Sequence, residues 1–155
     1  MKNLLGVCRT IDWINEKIGR LTLWLVLGSV LISAGNAIVR KAFSSSSNAL
    51  LEIQWYLFAA VYLLGASYVF LRNEHVRIDA LSHRWTRRTQ VWIDVIGIVL
   101  FMLPLCGWVT SVSWPIVYNA YVSGEVSSNA GGLVRWPVYS LMPLAFVLLA
   151  LQSFS

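Results

Sequence analysis

The chain has 155 residues, 57% of them hydrophobic and only 12% charged, with a mean hydropathy of +0.66. A soluble domain carries about 25% charged residues, so a disordered segment, a nucleic-acid module and an ordinary cytosolic enzyme are all excluded. The net charge of +5 must therefore be read by position, because basic residues of membrane proteins collect in cytoplasmic loops.

In chain order, residues 1–20 place Leu4, Val7, Ile11, Ile14 and Ile18 at helical spacing, with charges on the other faces. This pattern predicts an amphipathic helix lying in the cytoplasmic interface, anchored on membrane lipids. The uncharged run 21–39, between Arg20 and Arg40, is long enough to cross about 30 Å of hydrocarbon. Its length, and the presence of Asp12 and Glu16 before it, argue against a signal peptide cut at Ser33-Ala34-Gly35. After a short outer loop at 44–47, a second span covers 50–71. In the next loop Asp79 can cap a short cytoplasmic helix, with Leu81 and Trp85 on one side and Arg84, Arg87 and Arg88 towards headgroups or solvent. The third span, 91–117, contains Pro104 and Pro115, which predict kinks tolerated through neighbouring helices. A polar loop with glycines at 122–132 leads into the fourth span, 136–154. The fold class is thus an all-α membrane protein with four transmembrane helices, one domain over residues 1–155.

Lysine and arginine set the orientation. The N-terminal segment, the second loop and the tail together hold nine; the first loop, with Arg40 and Lys41, and the third, with Arg135, hold three. Both termini are therefore expected in the cytoplasm. Trp24 and Trp92 fall near the inner boundary and Trp55, Trp114 and Trp136 near the outer one, as an aromatic belt requires.

Chemistry is sparse. His75 and His83 both lie in the cytoplasmic loop, so no pair of membrane histidines could ligate haem. Neither has Cys or acidic partners at metal-ligand spacing. Cys8 and Cys106 occupy different levels and neither has a base beside it. No acid sits at mid-membrane, where a proton relay would be expected; Glu52 and Asp94 stand near the N-termini of their helices, where the helix dipole favours a carboxylate. What the second helix does carry is a stripe, Glu52, Ala59, Ala66 and Asn73 at intervals of seven, flanked by Tyr56, Ala60 and Ser67. Small residues let helices approach closely and polar ones hydrogen-bond across the contact. Packing within the chain explains such a stripe; so does contact with a second membrane protein. The chain reads as a scaffold, with no enzyme chemistry and no cofactor of its own.

The run from Glu52-Ile-Gln-Trp-Tyr-Leu-Phe through Leu64-Gly65-Ala66-Ser67 to Asn73-Glu74-His75-Val76-Arg77-Ile78-Asp79-Ala80-Leu81 resembles the DctQ family, the small membrane subunit of tripartite ATP-independent periplasmic (TRAP) transporters. The stretch 124–137, then Pro143 and Leu151-Gln152, is similar to one branch of that family. The resemblance implies a subunit of a sodium-coupled, binding-protein-dependent importer of an organic acid or related solute, in the bacterial inner membrane. Its partners would be a large membrane subunit (DctM family), which carries substrate and sodium, and a periplasmic binding protein. On this reading no residue here binds substrate or metal. Glu52, Tyr56, Ala59 and Ala66 are expected at the large-subunit interface, His75, Arg77 and Asp79 in the family's cytoplasmic turn, and Glu125, Arg135 and Trp136 at the surface that meets the binding protein. The competing expectation is a self-contained, proton-coupled four-helix exporter acting as a homodimer, with Glu52 as its proton site.

Overall fold

A computed structural model of the chain describes residues 2–43, 48–72, 86–129 and 131–155. Among them, four helices are long and apolar enough to cross a membrane. They are α1 (Lys2–Phe43), α2 (Asn48–Leu71), α3 (Arg87–Ser123) and α4 (Trp136–Ser153).

Two boundaries differ from the sequence reading. Residues 2–20 are not a separate helix: they are the first turns of α1, which runs unbroken for 42 residues, about 63 Å at 1.5 Å per residue. The charges at Lys17 and Arg20 mark where the chain leaves hydrocarbon, but charge does not break a helix, and no proline interrupts this stretch. Gly19 serves the packing instead, since a Cβ there would run into the Tyr68 ring of α2. The short helix expected in the second loop, with Asp79, lies outside the described residues; Arg87 and Arg88 open α3, behind a Thr86 cap whose hydroxyl accepts from the Thr89 N–H.

Within α3 the ladder widens to π geometry over Ile98–Met102, where the Leu103 N–H reaches the Ile98 carbonyl. Pro104 supplies the reason. It has no N–H to donate and its ring crowds the carbonyl four residues back, at Leu100; a π segment just ahead of it relieves the crowding. Pro115 lies inside α3 and Pro143 inside α4.

The helices pack side by side: α1 on α2, α2 on α4, and α4 on the later part of α3, from Leu103 onward. The first part of α3, Arg87–Gly97, has no buried residue. The packed faces are small and polar. Ala60, Leu64, Cys106, Ala120 and Ala145 are buried, along with Asn15, Thr22, Ser29, Asn36, Glu52, Ser67, Ser113 and Gln152. Large side chains such as Trp24, Trp108 and Phe101 point outward. A soluble core reverses this order; close contact between helices in lipid demands it. On α1 the buried polar residues Asn15, Thr22, Ser29 and Asn36 recur every seven residues, a stripe as regular as the one on α2.

On α2 the buried face is Ala60, Leu64 and Ser67. At 3.6 residues per turn, Ala59 and Ala66 fall on the flank in line with buried Glu52; both are half-buried and Ala66 lines a cleft of the bundle, while Trp55 and Tyr62, 75% and 82% exposed, face away. The interval of seven therefore runs along the edge of the packed face and not along its outward side.

Candidate docking loop and its carboxylate anchor

The connection between α3 and α4 is built from the end of α3 upward. Gly124, in the left-handed region at φ 62°, closes the helix by turning its N–H onto the last carbonyls, as a glycine after a helix commonly does. The chain then doubles back on itself. Val126 and Val134 form an antiparallel bridge, the Ser127 N–H donates to the Leu133 carbonyl at 2.9 Å, and the Arg135 N–H donates to the Glu125 carbonyl at 3.0 Å. Gly131, at φ 74°, makes the reversal. Gly132 follows because nothing larger fits: a Cβ there would lie 2.6 Å from the Ser127 carbonyl oxygen.

Glu52, in the second turn of α2, holds this loop from below. One carboxylate oxygen accepts from the Asn129 side-chain amide at 2.7 Å and the other from the Leu133 N–H at 2.8 Å. Tyr56, one turn further on, donates its hydroxyl to the Val134 carbonyl at 3.3 Å. A carboxylate accepting two aimed donors forms charge-assisted bonds stronger than neutral ones. Beside it, the Arg135 guanidinium donates to Glu125 at 3.2 Å and to the Tyr139 hydroxyl at 3.3 Å. Tyr139 above all, and after it Glu125, raise the Arg135 pKa above an arginine's ordinary value, while burial works the other way. Trp136 stands edge-on to Tyr121, ring centroids 5.6 Å apart, and so ties the start of α4 to the end of α3. Asn48, Trp55, Tyr56, Arg135 and Tyr139 line a cleft of about 520 Å3 next to the anchor.

The structure thus brings Glu52 and Tyr56 together with the loop that carries Glu125, Arg135 and Trp136. Ala59 and Ala66 lie elsewhere on α2, and His75, Arg77 and Asp79 lie outside the described residues. The sequence offers the helix dipole or another subunit as Glu52's partner; within the chain its partners are Asn129 and Leu133, which no spacing signals. At the opposite end of the bundle a second network joins α1 to α4. The Asn15 side chain donates to Gln152 at 2.6 Å, Gln152 donates to Asp12 at 2.9 Å, and the Ser155 hydroxyl donates to Asp12 at 2.8 Å. Glu16 accepts there from Arg20 at 2.9 Å and from Arg72 at 3.4 Å. Among the described residues no group of three His, Cys, Asp or Glu gathers where a metal ion could be held.

No curated protein and no solved structure matches the chain. A family model does: that of the DctQ component of tripartite ATP-independent periplasmic transporters, over residues 29–155. This match covers α2, α3, α4 and the anchored loop. The chain belongs to the DctQ family, the small membrane component of these transporters, and is a multi-pass protein of the inner membrane.

Proposed function

We propose that this subunit serves a sodium-coupled importer of an organic acid as its stationary scaffold and presents the loop at 124–135 to the periplasmic binding protein. The observation that carries the docking role is the Glu52 carboxylate with both oxygens spent on the loop. A surface loop held this way is pre-organised, so little ordering entropy is lost when a partner lands on it. Glu125, Arg135 and Trp136 are the side chains offered to that partner. The orientation follows the positive-inside rule: residues 8–12 and Ser155 lie together at the arginine- and lysine-rich end, which faces the cytoplasm, and the loop faces the periplasm. Sodium and substrate bind the large subunit.

The large subunit is met by the outward face of α2. Trp55, Phe58 and Tyr62 are exposed along one side, with the small, half-buried Ala59 beside them, a surface on which a foreign helix can interdigitate. Glu52 and Tyr56 support the loop from the neighbouring face.

The test is reconstitution of the tagged chain with its large subunit and binding protein in proteoliposomes. Glu52→Leu should leave the large subunit bound and weaken binding-protein docking, with uptake falling at least tenfold. Ala59→Phe should do the converse, releasing the large subunit while the purified chain keeps its fold. A chain that purifies as a homodimer without a large partner, or a Glu52→Leu complex that docks and transports normally, overturns the reading.

A further inference from the structure

The α1 stripe of Asn15, Thr22, Ser29 and Asn36 is more than nine-tenths buried at every position, yet three of its oxygens are unpaired. Asn15 Oδ1, Ser29 Oγ and Asn36 Oδ1 have no hydrogen-bond partner among the described residues. Ser29 shows the point best. Thr22, Ser67, Ser111, Ser123, Ser140 and Ser153 each donate to a carbonyl three or four residues back, the local bond open to any hydroxyl in a helix. Ser29 makes no such bond, so its buried oxygen is turned from its own helix towards the packed seam. The neighbouring helix explains why nothing there answers it. α1 and α2 run antiparallel, with Glu16 against Arg72 and Gly19 against Tyr68. At 1.5 Å per residue the same register brings Ser29 level with about residues 58–59 and Asn36 with about 51–52. Leu51, Phe58 and Ala59 have no polar side-chain atom, and the Glu52 carboxylate can only accept. At both levels α2 therefore offers no side-chain donor.

An unpaired polar atom in a dry interior costs the full desolvation of that atom, and in lipid no bulk water is at hand to relieve it. The spacing decides what can. Ser29 and Asn36 stand about 10 Å apart along α1, and Asn15 about 20 Å from Ser29. A cation gathers several oxygens at one point, so no single ion serves two of them, and burial keeps a partner's side chain away from all three. A water molecule is small enough to enter, and it donates both to the unpaired oxygen and to a helix carbonyl, which has a lone pair to spare. Room lies beside Ser29: Gly28 is half-buried, and a Cβ there meets nothing within 4 Å. We propose that the seam between α1 and α2 binds structural water, one molecule each at Ser29 and Asn36 within the membrane span, with a third at Asn15 beside the Gln152 amide. Hydrogen-bonded oxygens sit about 2.8 Å apart, so waters at this spacing are separate sites and not a file along which protons pass. The waters join helices within this chain, independently of the partner roles proposed above.

The full chain in lipid bilayers would be studied by solid-state NMR, with magnetisation transferred from water protons to the protein. Transfer to the Ser29 and Asn36 side chains should be several-fold faster than to Val30 and Leu31, which are exposed on the lipid side of the same turns. Ser29→Ala should abolish fast transfer at its own level and leave that at Asn36 intact; Ser29→Thr, which keeps the hydroxyl, should retain it. Thermal unfolding supplies a second reading with opposite signs. If the oxygens are hydrated, Asn36→Leu and Ser29→Ala lose bridging hydrogen bonds and lower the unfolding temperature. If they are dry, the same changes remove an unpaired group and raise it. Should Asn36→Leu aggregate, the smaller Ser29→Ala change decides alone. Transfer to Ser29 and Asn36 no faster than to Val30, fast transfer all along α1 as from a continuous water file, or a rise in unfolding temperature on either substitution would each overturn the proposal.

Discussion

The two ends of this bundle are held by different means. At the loop end, glycines in forced geometries, backbone hydrogen bonds and one carboxylate fix a compact reversal of the chain. At the opposite end, side-chain amides join α1 to α4, an exposed ion-pair cluster surrounds Glu16, and α3 stands clear of its neighbours. A chain reversal fixed by backbone hydrogen bonds allows one shape; exposed ion pairs between long, flexible side chains allow several at little cost. The loop end is therefore the rigid surface of the molecule and the other end the compliant one. The docking role proposed above assigns the rigid end to the partner.

The largest effect should come from the platform. In Gly132→Ala the new methyl has no room, with the Ser127 oxygen at 2.6 Å and the Asn129 oxygen at 2.9 Å. Overpacking of this kind costs about 1–3 kcal/mol, and here it falls on the loop and not on the helices. Hydrogen exchange should show the Ser127 and Leu133 amides losing protection while those of α2 and α4 keep theirs. If protection fell equally throughout, the loop would not be a separately held unit. A smaller effect is expected from Gln152→Leu at the other end. It leaves the Asn15 amide and Asp12 each short of a partner, and hydrogen bonds between membrane helices are worth about 0.6 kcal/mol, at most about 1.7. Unfolding of the purified chain in mixed micelles should register a loss in that range, with the loop's exchange unchanged.

These contrasts were only partly legible in the sequence. The four spans were, because Arg20, Arg40, Glu52, Arg72 and Arg135 punctuate long apolar runs and hydrocarbon tolerates few charges. The end of the amphipathic segment was misread for the same reason, since Arg20 marks a change of solvent and not a change of backbone. The α1 stripe of Asn15, Thr22, Ser29 and Asn36 is visible as spacing; it carries no ionisable group, yet in lipid neutral polar residues also join helices. The partners of Glu52 could not be read. Asn129 and Leu133 lie about eighty residues away, and they reach the carboxylate only because Gly124 and Gly131 turn the loop through positive φ. The role of Ala59 lay between these cases. Its interval to Ala66 was plain, but which side of α2 it occupies depends on which neighbouring face is buried, and that is a property of the packed bundle.

The smallest effect belongs to Glu16, and it tests the contrast most sharply. Its carboxylate faces Arg20 at 2.9 Å and Arg72 at 3.4 Å, so on paper it links α1 to the end of α2. All three side chains are well exposed, however, with relative accessibilities of 38% for Glu16, 67% for Arg20 and 47% for Arg72. Exposed pairs gain little because water screens them and two long side chains must be ordered to make them; salt reduces the gain further. Glu16→Gln should therefore leave thermal stability unchanged within error, at low salt and at high salt alike. A clear loss at low salt that disappeared at high salt would mean that this end is held by ion pairs after all. Its compliance would then depend on ionic strength, and the end opposite the loop could no longer be described as held by the Asn15–Gln152–Asp12 network.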